Sequence, residues 1–202
     1  MNDNILVVGT GTIGEPLIGL RCRLQSKLSI GEVIFHKRTP LIDEIAKVDS
    51  LISMGAKLAV DLKRKDQFED YGHEVSYLWE EALEKASVVV DCTPAGNENK
   101  EKFYSKYSNK LFIAQGSEKG FGVPYALGLT DQNVIDKNPD YIQVVSCNTH
   151  AIARLISSIS GKDPRDIMSG DFTCIRRAND VSQDKGFSPS TSAGKHSDEK
   201  FG

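Results

Sequence analysis

One cysteine of the sequence stands where a thiol could act as a nucleophile. Residues 141–145 form an apolar run that predicts a buried strand, and apolar residues then recur at helical spacing as far as Ile159. Cys147 therefore lies in the first turn of a predicted helix, directly after a strand. Unpaired backbone N–H groups and the positive end of the helix dipole favour a thiolate at such a position. We interpret Cys147 as a candidate covalent nucleophile, and a buried structural cysteine is the alternative.

A glycine-rich stretch near the start of the chain is typical of a dinucleotide-binding turn. The apolar residues 5–8 predict a short buried strand, and a helical pattern of apolar residues begins at Ile13. Between them lies GxGxxG, in the strand–helix context that gives this motif its meaning. We expect Gly9 to allow the tight turn, Gly11 the approach of a pyrophosphate, and Gly14 the packing of helix on strand. A glycine-rich turn without a ligand is the alternative interpretation.

Strands and helices are predicted to alternate along residues 1–146. Further buried strands are expected at residues 33–35, 88–91 and 111–114. A helix is expected between them from Thr39 and Pro40, as N-cap and first helical residue, to about Gly55. This alternation predicts an α/β fold with a doubly wound parallel sheet of the Rossmann type, forming a dinucleotide-binding domain.

The residues after the second predicted strand bear on the choice of cofactor. An NAD-selective fold usually has an Asp or Glu there, which accepts a hydrogen bond from the ribose 2′-hydroxyl. This chain has Lys37 and Arg38 instead, which could pair with a 2′-phosphate. The sequence therefore predicts NADP as the preferred cofactor with NAD as the second choice. A solvated basic turn is the other interpretation.

Composition limits the classes of function. With 39% hydrophobic residues, 26% charged residues and a net charge of −3, the chain resembles a soluble globular protein with no reason to bind nucleic acid or an anionic membrane. No apolar run approaches the ~20 residues of a membrane span, and no signal peptide is recognisable. The four cysteines have neither CxxC nor metal-ligand spacing, which favours a reducing cytoplasm and no bound metal.

Five stretches in one order resemble the archaeal-type glyceraldehyde-3-phosphate dehydrogenases. They are residues 9–14, 37–40, 115–119, 144–149 and 176–178. The Ser-Cys-Asn-Thr and Arg-Arg-Ala segments are the most specific of them. The resemblance implies that Cys147 is the nucleophile of an NAD(P)-dependent dehydrogenase.

The resemblance also implies roles for other residues. Besides the three glycines and the basic pair, cofactor contacts are expected at Thr12, Ile13, Gly116 and Arg177. The aldehyde is expected to contact Ser146, Cys147 and Asn148. By a weaker alignment, His196 and Ser197 take the place of a histidine-rich substrate-binding segment.

The reaction implied by the resemblance is oxidative phosphorylation of a phosphorylated aldehyde, with inorganic phosphate as the second substrate and a homotetramer as the full-length form. Members of the family continue well past this length, into a catalytic domain that carries a histidine base. Residues 147–202 are therefore expected to be the truncated start of an α+β catalytic domain that lacks the base. His150, where the family usually has a smaller polar residue, is interpreted as a helix-surface side chain, and pairing with the thiolate is the alternative.

Two other functions remain open from the sequence. One is another thiol-dependent aldehyde dehydrogenase, of the aspartate-semialdehyde or acyl-phosphate reductase type, since these also combine a dinucleotide fold with a cysteine at a helix N-terminus. The other is a catalytically incomplete NADP-binding module.

Overall fold

The computed structural model of the chain describes residues 3–116, 119–161, 163 and 166–173. The chain divides into two compact units, Met1–Ile167 and Met168–Gly202, and the fold below is that of the first unit. In the second unit, the described residues 168–173 form neither helix nor strand.

A parallel sheet of eight described strands forms the centre of the first unit, in the order β4-β3-β2-β1-β5-β6-β8-β7. The strands are β1 (Asp3–Val8), β2 (Ile30–His36), β3 (Lys57–Val60), β4 (Val75–Leu78), β5 (Val88–Asp91), β6 (Leu111–Gln115), β7 (Val123–Tyr125) and β8 (Tyr141–Val144). Because every described pairing is parallel, the carboxyl ends of these strands lie at one edge of the sheet.

Seven described α-helices accompany the strands. They are α1 (Gly14–Leu24), α2 (Ile45–Ser53), α3 (Lys65–Asp70), α4 (Trp79–Lys85), α5 (Gly96–Lys102), α6 (Asp131–Lys137) and α7 (Cys147–Ser160). Among the described residues, no helix is long and apolar enough to cross a membrane.

Apolar side chains cover both faces of the sheet, as a doubly wound fold requires. Successive residues of β1 alternate between two cores: Ile5 and Val7 belong to one cluster, Leu6 and Val8 to the other. The first cluster includes residues of α1, α2 and α3, and the second includes α4 with a group of stacked aromatic rings. The predicted α/β fold with a parallel sheet is confirmed.

Several elements differ from the sequence-based expectation. The helix predicted to start at Thr39 and Pro40 begins later, since a 3-10 turn at Ile42–Glu44 precedes α2. Residues 171–173, within the segment expected to begin an α+β domain, form neither helix nor strand. Four elements had no prediction, namely β4, α5, β7 and α6. They are short, from three to seven residues, so each offers little periodicity to detect.

The register of the central strands determines which loops meet. Val8 at the end of β1 pairs with His36 of β2 on one side and with Asp91 of β5 on the other. Further along the sheet, Gln115 of β6 pairs with Val144 of β8. The loops that follow these four strands and β1 therefore start at nearly the same level of the sheet edge. In α/β sheets this edge is where ligands bind.

Candidate functional site

The glycine-rich turn after β1 has one closely packed side and one open side. A Cβ added at Gly14 would lie 1.9 Å from the carbonyl oxygen of Gly9, so the start of α1 can approach the turn only without a side chain. Gly9 has φ +92° and donates its N–H to the His36 carbonyl at 3.1 Å. By contrast, a Cβ added at Gly11 would meet no atom within 4 Å. The fold thus requires Gly9 and Gly14, while the space beside Gly11 is open for a ligand.

The next two residues of this turn are also accessible. Thr12 and Ile13 are exposed, and Ile13, the N-cap residue of α1, makes no side-chain hydrogen bond to the helix N-terminus. The first N–H groups of an α-helix lack partners within the helix, and they are a common binding place for phosphate. The arrangement suits the pyrophosphate of a dinucleotide.

Lys37 and Arg38 have opposite surroundings. Lys37 is buried, and its ammonium donates to Oε2 of Glu44 in the 3-10 turn before α2. Arg38 is exposed and lines an open surface pocket. The ion pair with Glu44 neutralises the Lys37 charge inside the protein, which argues against Lys37 as a ligand of a 2′-phosphate; its cofactor role stays a prediction.

Glu44 is the centre of a charge network beside the glycine-rich turn. It accepts from Lys37 and, through Oε1, from Lys47 at 2.6 Å. The Lys47 ammonium also lies 3.5 Å from the Thr10 carbonyl oxygen and 3.7 Å from the Glu15 carboxylate. Burial acts to raise the pKa of Glu44, but the hydrogen bonds from the two lysines outweigh it and the pKa is lowered. The network ties the turn before α2 to the turn after β1.

The loop after β5 is held by one buried carboxylate. Asp91 accepts from the backbone N–H and the hydroxyl of Thr93, from the Asn99 amide and from the Tyr104 hydroxyl, all within 2.6–2.8 Å. Burial, together with the Asp91 charge, raises the pKa of Tyr104, so this hydroxyl stays a donor. The conformation of residues 92–95, beside the glycine-rich turn, follows from these four bonds.

Cys147 begins α7 and is exposed, as the sequence predicts. Ser146 is the N-cap residue, and its hydroxyl accepts from the backbone N–H of Thr149 at 3.4 Å. The Cys147 thiol donates to Oδ1 of Asn148 at 3.9 Å. The three residues expected to contact the aldehyde thus form one exposed turn at the carboxyl end of β8.

One face of α7 fixes the position of this turn. His150, Arg154 and Ser157 are spaced so that they share a helix face, and each bonds to the backbone of residues 127–128. His150 accepts the N–H of Leu127 at Nε2, over 3.1 Å. This atom is occupied, which supports a structural role for His150 and not the alternative in which it pairs with the thiolate.

Gly116 follows β6 and is the last predicted cofactor contact among the described residues. It has φ +119°, and its carbonyl accepts from the buried Gln143 amide at 3.5 Å. The Oε1 atom of Gln143 has no hydrogen-bond partner among the described residues. Gly116 lies next to β8 and therefore near Cys147.

The other predicted residues cannot be placed. Arg177, His196 and Ser197 lie outside the described residues, as do Ser117 and Glu118 of the segment 115–119. The described residues hold no group of three or more His, Cys, Asp or Glu side chains suited to a metal ion.

Cysteine environments give the first testable prediction. Burial raises the pKa of Cys22, and burial together with Asp91 raises the pKa of Cys92 to about 12, so at neutral pH both thiols stay protonated. Cys147 is exposed. We expect iodoacetamide to alkylate Cys147 at least about tenfold faster than Cys22 or Cys92, because the thiolate is the reactive form. Peptide mass spectrometry measures the three rates and reports Cys174 separately. Faster labelling of Cys92 in the folded protein would contradict this assignment.

Glu44 gives a pH-dependent prediction. Its pKa is lowered in the folded state, so its contribution to stability is present above the ordinary carboxyl pKa and is lost as the pH falls through the lowered value. We expect Glu44→Gln to lower the free energy of unfolding by about 2 kcal/mol at neutral pH, because buried Lys37 loses its anion. Urea titrations should show this difference shrinking as the pH falls below the ordinary range of a carboxyl group.

The neighbouring Asp43 supplies the control for this series. It is exposed and makes no ion pair with any described residue. Asp43→Asn should therefore change stability by less than about 0.5 kcal/mol at either pH. A Glu44→Gln effect that does not vary with pH would show that packing, and not charge, is what Glu44 supplies.

Curated proteins with a sequence similar to this chain carry the name of one dehydrogenase. Curated relatives named glyceraldehyde-3-phosphate dehydrogenase include one from Archaeoglobus fulgidus, 38% identical over 193 residues, 92% of this chain and 52% of the relative. The one from Methanobrevibacter smithii is 36% identical over 90% of this chain and 52% of the relative, and the one from Pyrobaculum calidifontis is 34% identical over 76% and 43%. The chain spans about half the length of these relatives.

Other comparisons are less informative. No family model matches the chain. A solved short chain alcohol dehydrogenase from E. coli CFT073, complexed with NADH, is 17% identical and covers 81% of this chain and 43% of its own, with a TM-score of 0.38 that supports no conclusion. The archaeal relatives match at 30–38% identity over 61–92% of the chain. Over about half of each relative's length, the chain is similar to the archaeal-type glyceraldehyde-3-phosphate dehydrogenases.

Proposed function

We propose that this chain carries the cofactor site and the nucleophile of an NAD(P)-dependent, phosphorylating aldehyde dehydrogenase acting on glyceraldehyde 3-phosphate. The observation that carries the proposal is the exposed Cys147 thiol in the first turn of α7, at the same sheet edge as the open side of Gly11. A nucleophile and a dinucleotide turn on one edge are what hydride transfer from a thiol-bound substrate needs.

The order of the strands supports a dinucleotide lying along this edge. β8, which precedes Cys147, is separated from β1 by β5 and β6. At a strand spacing of about 4.8 Å, β1 and β8 are about 14 Å apart. Adenosine over β2 and pyrophosphate over β1 would bring the nicotinamide towards β6 and β8. Gly116, with no Cβ, then leaves room for it near Cys147.

In the proposed reaction, one residue of the chain forms a covalent bond to the substrate. The Cys147 sulfur attacks the aldehyde carbon, forming a C–S bond, and the carbonyl oxygen becomes the hydroxyl of a hemithioacetal. A bound nicotinamide supplies an acceptor for the hydride of that carbon. The hydroxyl proton leaves to a base, and the resulting Cys147 thioester is cleaved by inorganic phosphate, which releases an acyl phosphate and the free thiol. Ser146 and Asn148 flank the sulfur and are suited to orient the aldehyde oxygen.

A binding module without turnover is the second candidate function. It is favoured by the observation that His150, the histidine closest in sequence to Cys147, has its Nε2 atom bound to Leu127. Neither of the other described histidines replaces it, since His36 lies beside Asp61 and His73 bonds to Asp49. The general base, the homotetramer implied by the family resemblance and the start of a catalytic domain at Cys147 stay predictions.

Aldehyde oxidation tests the thiol. With glyceraldehyde 3-phosphate, inorganic phosphate and NADP, formation of NADPH should be lost by about a thousandfold or more in Cys147→Ser, because the variant lacks the sulfur proposed to form the thioester. Cys22→Ser, within α1, serves as the matched thiol control and should keep the activity. Activity that survives Cys147→Ser would contradict the nucleophile assignment, and a preference for aspartate semialdehyde would favour the second type of thiol dehydrogenase.

Cofactor binding is tested with two glycine variants. Gly11→Ala adds a methyl group that touches no described atom, so the thermal midpoint should stay unchanged while NADP affinity falls about tenfold through the blocked phosphate approach. Gly14→Ala should instead lower the stability by about 2 kcal/mol or more, because its methyl group would overlap the Gly9 carbonyl. The single tryptophan, Trp79, packs against His36 at the end of β2 with 4.3 Å between ring centroids, and it provides the fluorescence signal.

These two measurements separate the candidate functions. A chain that binds NADP through Gly11 but shows no turnover with any aldehyde is the binding module. A chain whose Gly11→Ala variant binds NADP unchanged does not use the glycine-rich turn as proposed.

A further inference from the structure

We propose that Lys100 of α5 is a positioning residue of the candidate site. Its ammonium holds the segment between β6 and β7, residues 119–122, and this segment sets the spacing between the loop after β6 and the first turn of α7. Lys100 thereby acts on the nicotinamide end of a bound cofactor without touching it. The inference rests on the dinucleotide function proposed above and adds to it the residue that aligns the two ends of the site.

Lys100 is a half-buried cation with an unusual set of contacts. Its ammonium donates to the carbonyl oxygen of Phe121, and it lies 4.2 Å from the ring centroid of Tyr141 and 5.5 Å from that of Phe121. The two rings meet edge to face with 5.6 Å between their centroids. An ammonium shielded from water over an aromatic face is held more firmly than an exposed one. The side chain therefore keeps one position, between α5 and the start of β8.

Segment 119–122 receives two hydrogen bonds from α5. Lys100 donates to the carbonyl of Phe121, and the amide of Asn97, three residues earlier in the helix, donates to the carbonyl of Lys119 at 2.9 Å. Both acceptors are backbone atoms, so these bonds fix the course of the chain and not the rotamer of a side chain. The helix is therefore a support for this segment.

The same segment packs closely against β8. A Cβ added at Gly122 would lie 2.2 Å from the carbonyl oxygen of Tyr141, so the backbone passes the start of β8 at a distance that only glycine allows. β7 follows immediately and pairs with β8 along its length. The Tyr125 carbonyl then accepts from the N–H of Val145, two residues before Cys147. A shift of segment 119–122 would thus reach the turn that carries the thiol.

The position of α5 in turn depends on the loop after β5. Asn99, next to Lys100, donates to the buried Asp91 carboxylate at 2.8 Å. The same carboxylate holds Thr93, whose methyl carbon lies 3.0 Å from where a Cβ of Gly9 would be. Two consecutive residues of α5 therefore bond to different loops, one beside the glycine-rich turn and one before β7. The helix connects the pyrophosphate end of the candidate site with its nicotinamide end.

This arrangement gives Lys100 a specific effect on binding. In the proposed cofactor position, adenosine and pyrophosphate lie over β2 and β1, whereas the nicotinamide lies towards β6 and β8. Loss of the hydrogen bond from Lys100 should therefore weaken the contacts of the nicotinamide and leave those of the adenosine half unchanged, because only the former depend on the alignment of segment 119–122. A side chain that only stabilised the fold would affect both halves alike.

The test compares NADP with 2′-phospho-ADP-ribose, which lacks the nicotinamide. Both are titrated against the full chain, with binding heat and Trp79 fluorescence as readouts. Lys100→Met keeps the length of the side chain without its donor, and Lys100→Arg keeps a cation that can donate and stack on a ring. Lys102→Met is the matched control, because its ion-pair partner Glu98 belongs to α5 itself. Thermal midpoints report whether the fold is kept.

We expect Lys100→Met to weaken NADP about tenfold and 2′-phospho-ADP-ribose less than about twofold. Lys100→Arg should stay within about threefold of the unmodified chain for NADP, and Lys102→Met should change neither affinity. A second readout is the thiol itself. Saturating NADP should slow the alkylation of Cys147 by iodoacetamide about fivefold in the unmodified chain but less than about twofold in Lys100→Met, since a misplaced nicotinamide shields the thiol less.

Different failures have different meanings. If neither ligand binds the unmodified chain, the proposed dinucleotide function itself fails. If both bind and Lys100→Met weakens them equally, or weakens neither, the dinucleotide function stands and the positioning role is overturned. Should Lys100→Met fail to fold, Lys100→Gln, which keeps a neutral donor, is titrated in its place. A ratio of the two affinities unchanged from that of the unmodified chain would then overturn the proposal.

Discussion

The parallel register of β2, β1 and β5 is the constraint on which the candidate site depends. Val8 is opposite both His36 and Asp91, so three consecutive loops leave the sheet at one level. The same register continues through β6 to β8 and brings the first turn of α7 to that edge. A slip of one residue in any of these strands would exchange its two faces and displace its loop. The two separate apolar cores, one on each face, stabilise the register against such a slip.

Buried polar groups fix the conformation of the loops that the strand register brings together. Asp91 fixes the loop after β5 through four donors, and Glu44 fixes the turn before α2 through two lysines. The face of α7 formed by His150, Arg154 and Ser157 does the same for residues 127–128. Charge-assisted hydrogen bonds are stronger than neutral ones, and an unpaired buried charge is costly. Each loop is therefore held in one conformation before any ligand arrives.

The sequence predicted the glycine-rich turn, most central strands and the place of Cys147 at the start of α7. These features depend on local patterns: a short apolar run, a motif at fixed spacing and a helical repeat. The separation of Lys37 from Arg38 depends on a contact that no local pattern contains. Glu44 reaches Lys37 because a 3-10 turn precedes α2, whereas the sequence suggested a regular helix from Thr39. The role of Asp91 was missed for the same reason, since its partners Asn99 and Tyr104 belong to elements without a sequence prediction.

Cys92 and Cys147 show why position at the sheet edge does not by itself define a nucleophile. Cys92 lies between β5 and α5, and Cys147 begins α7 shortly after β8, at the same edge. Cys92 is partly buried against the glycine-rich turn, where a Cβ added at Gly14 would lie 3.4 Å from its Cβ, and the Asp91 carboxylate next to it opposes a second negative charge. Cys147 is exposed in the first turn of a 14-residue helix whose Ser146 cap leaves the thiol uncovered. The difference lies in burial and in the neighbouring charge, and both properties come from the packing around the loop. The same loop after β5 that buries Cys92 also supports the glycine-rich turn. One thiol is thus packed inside the protein and the other is exposed.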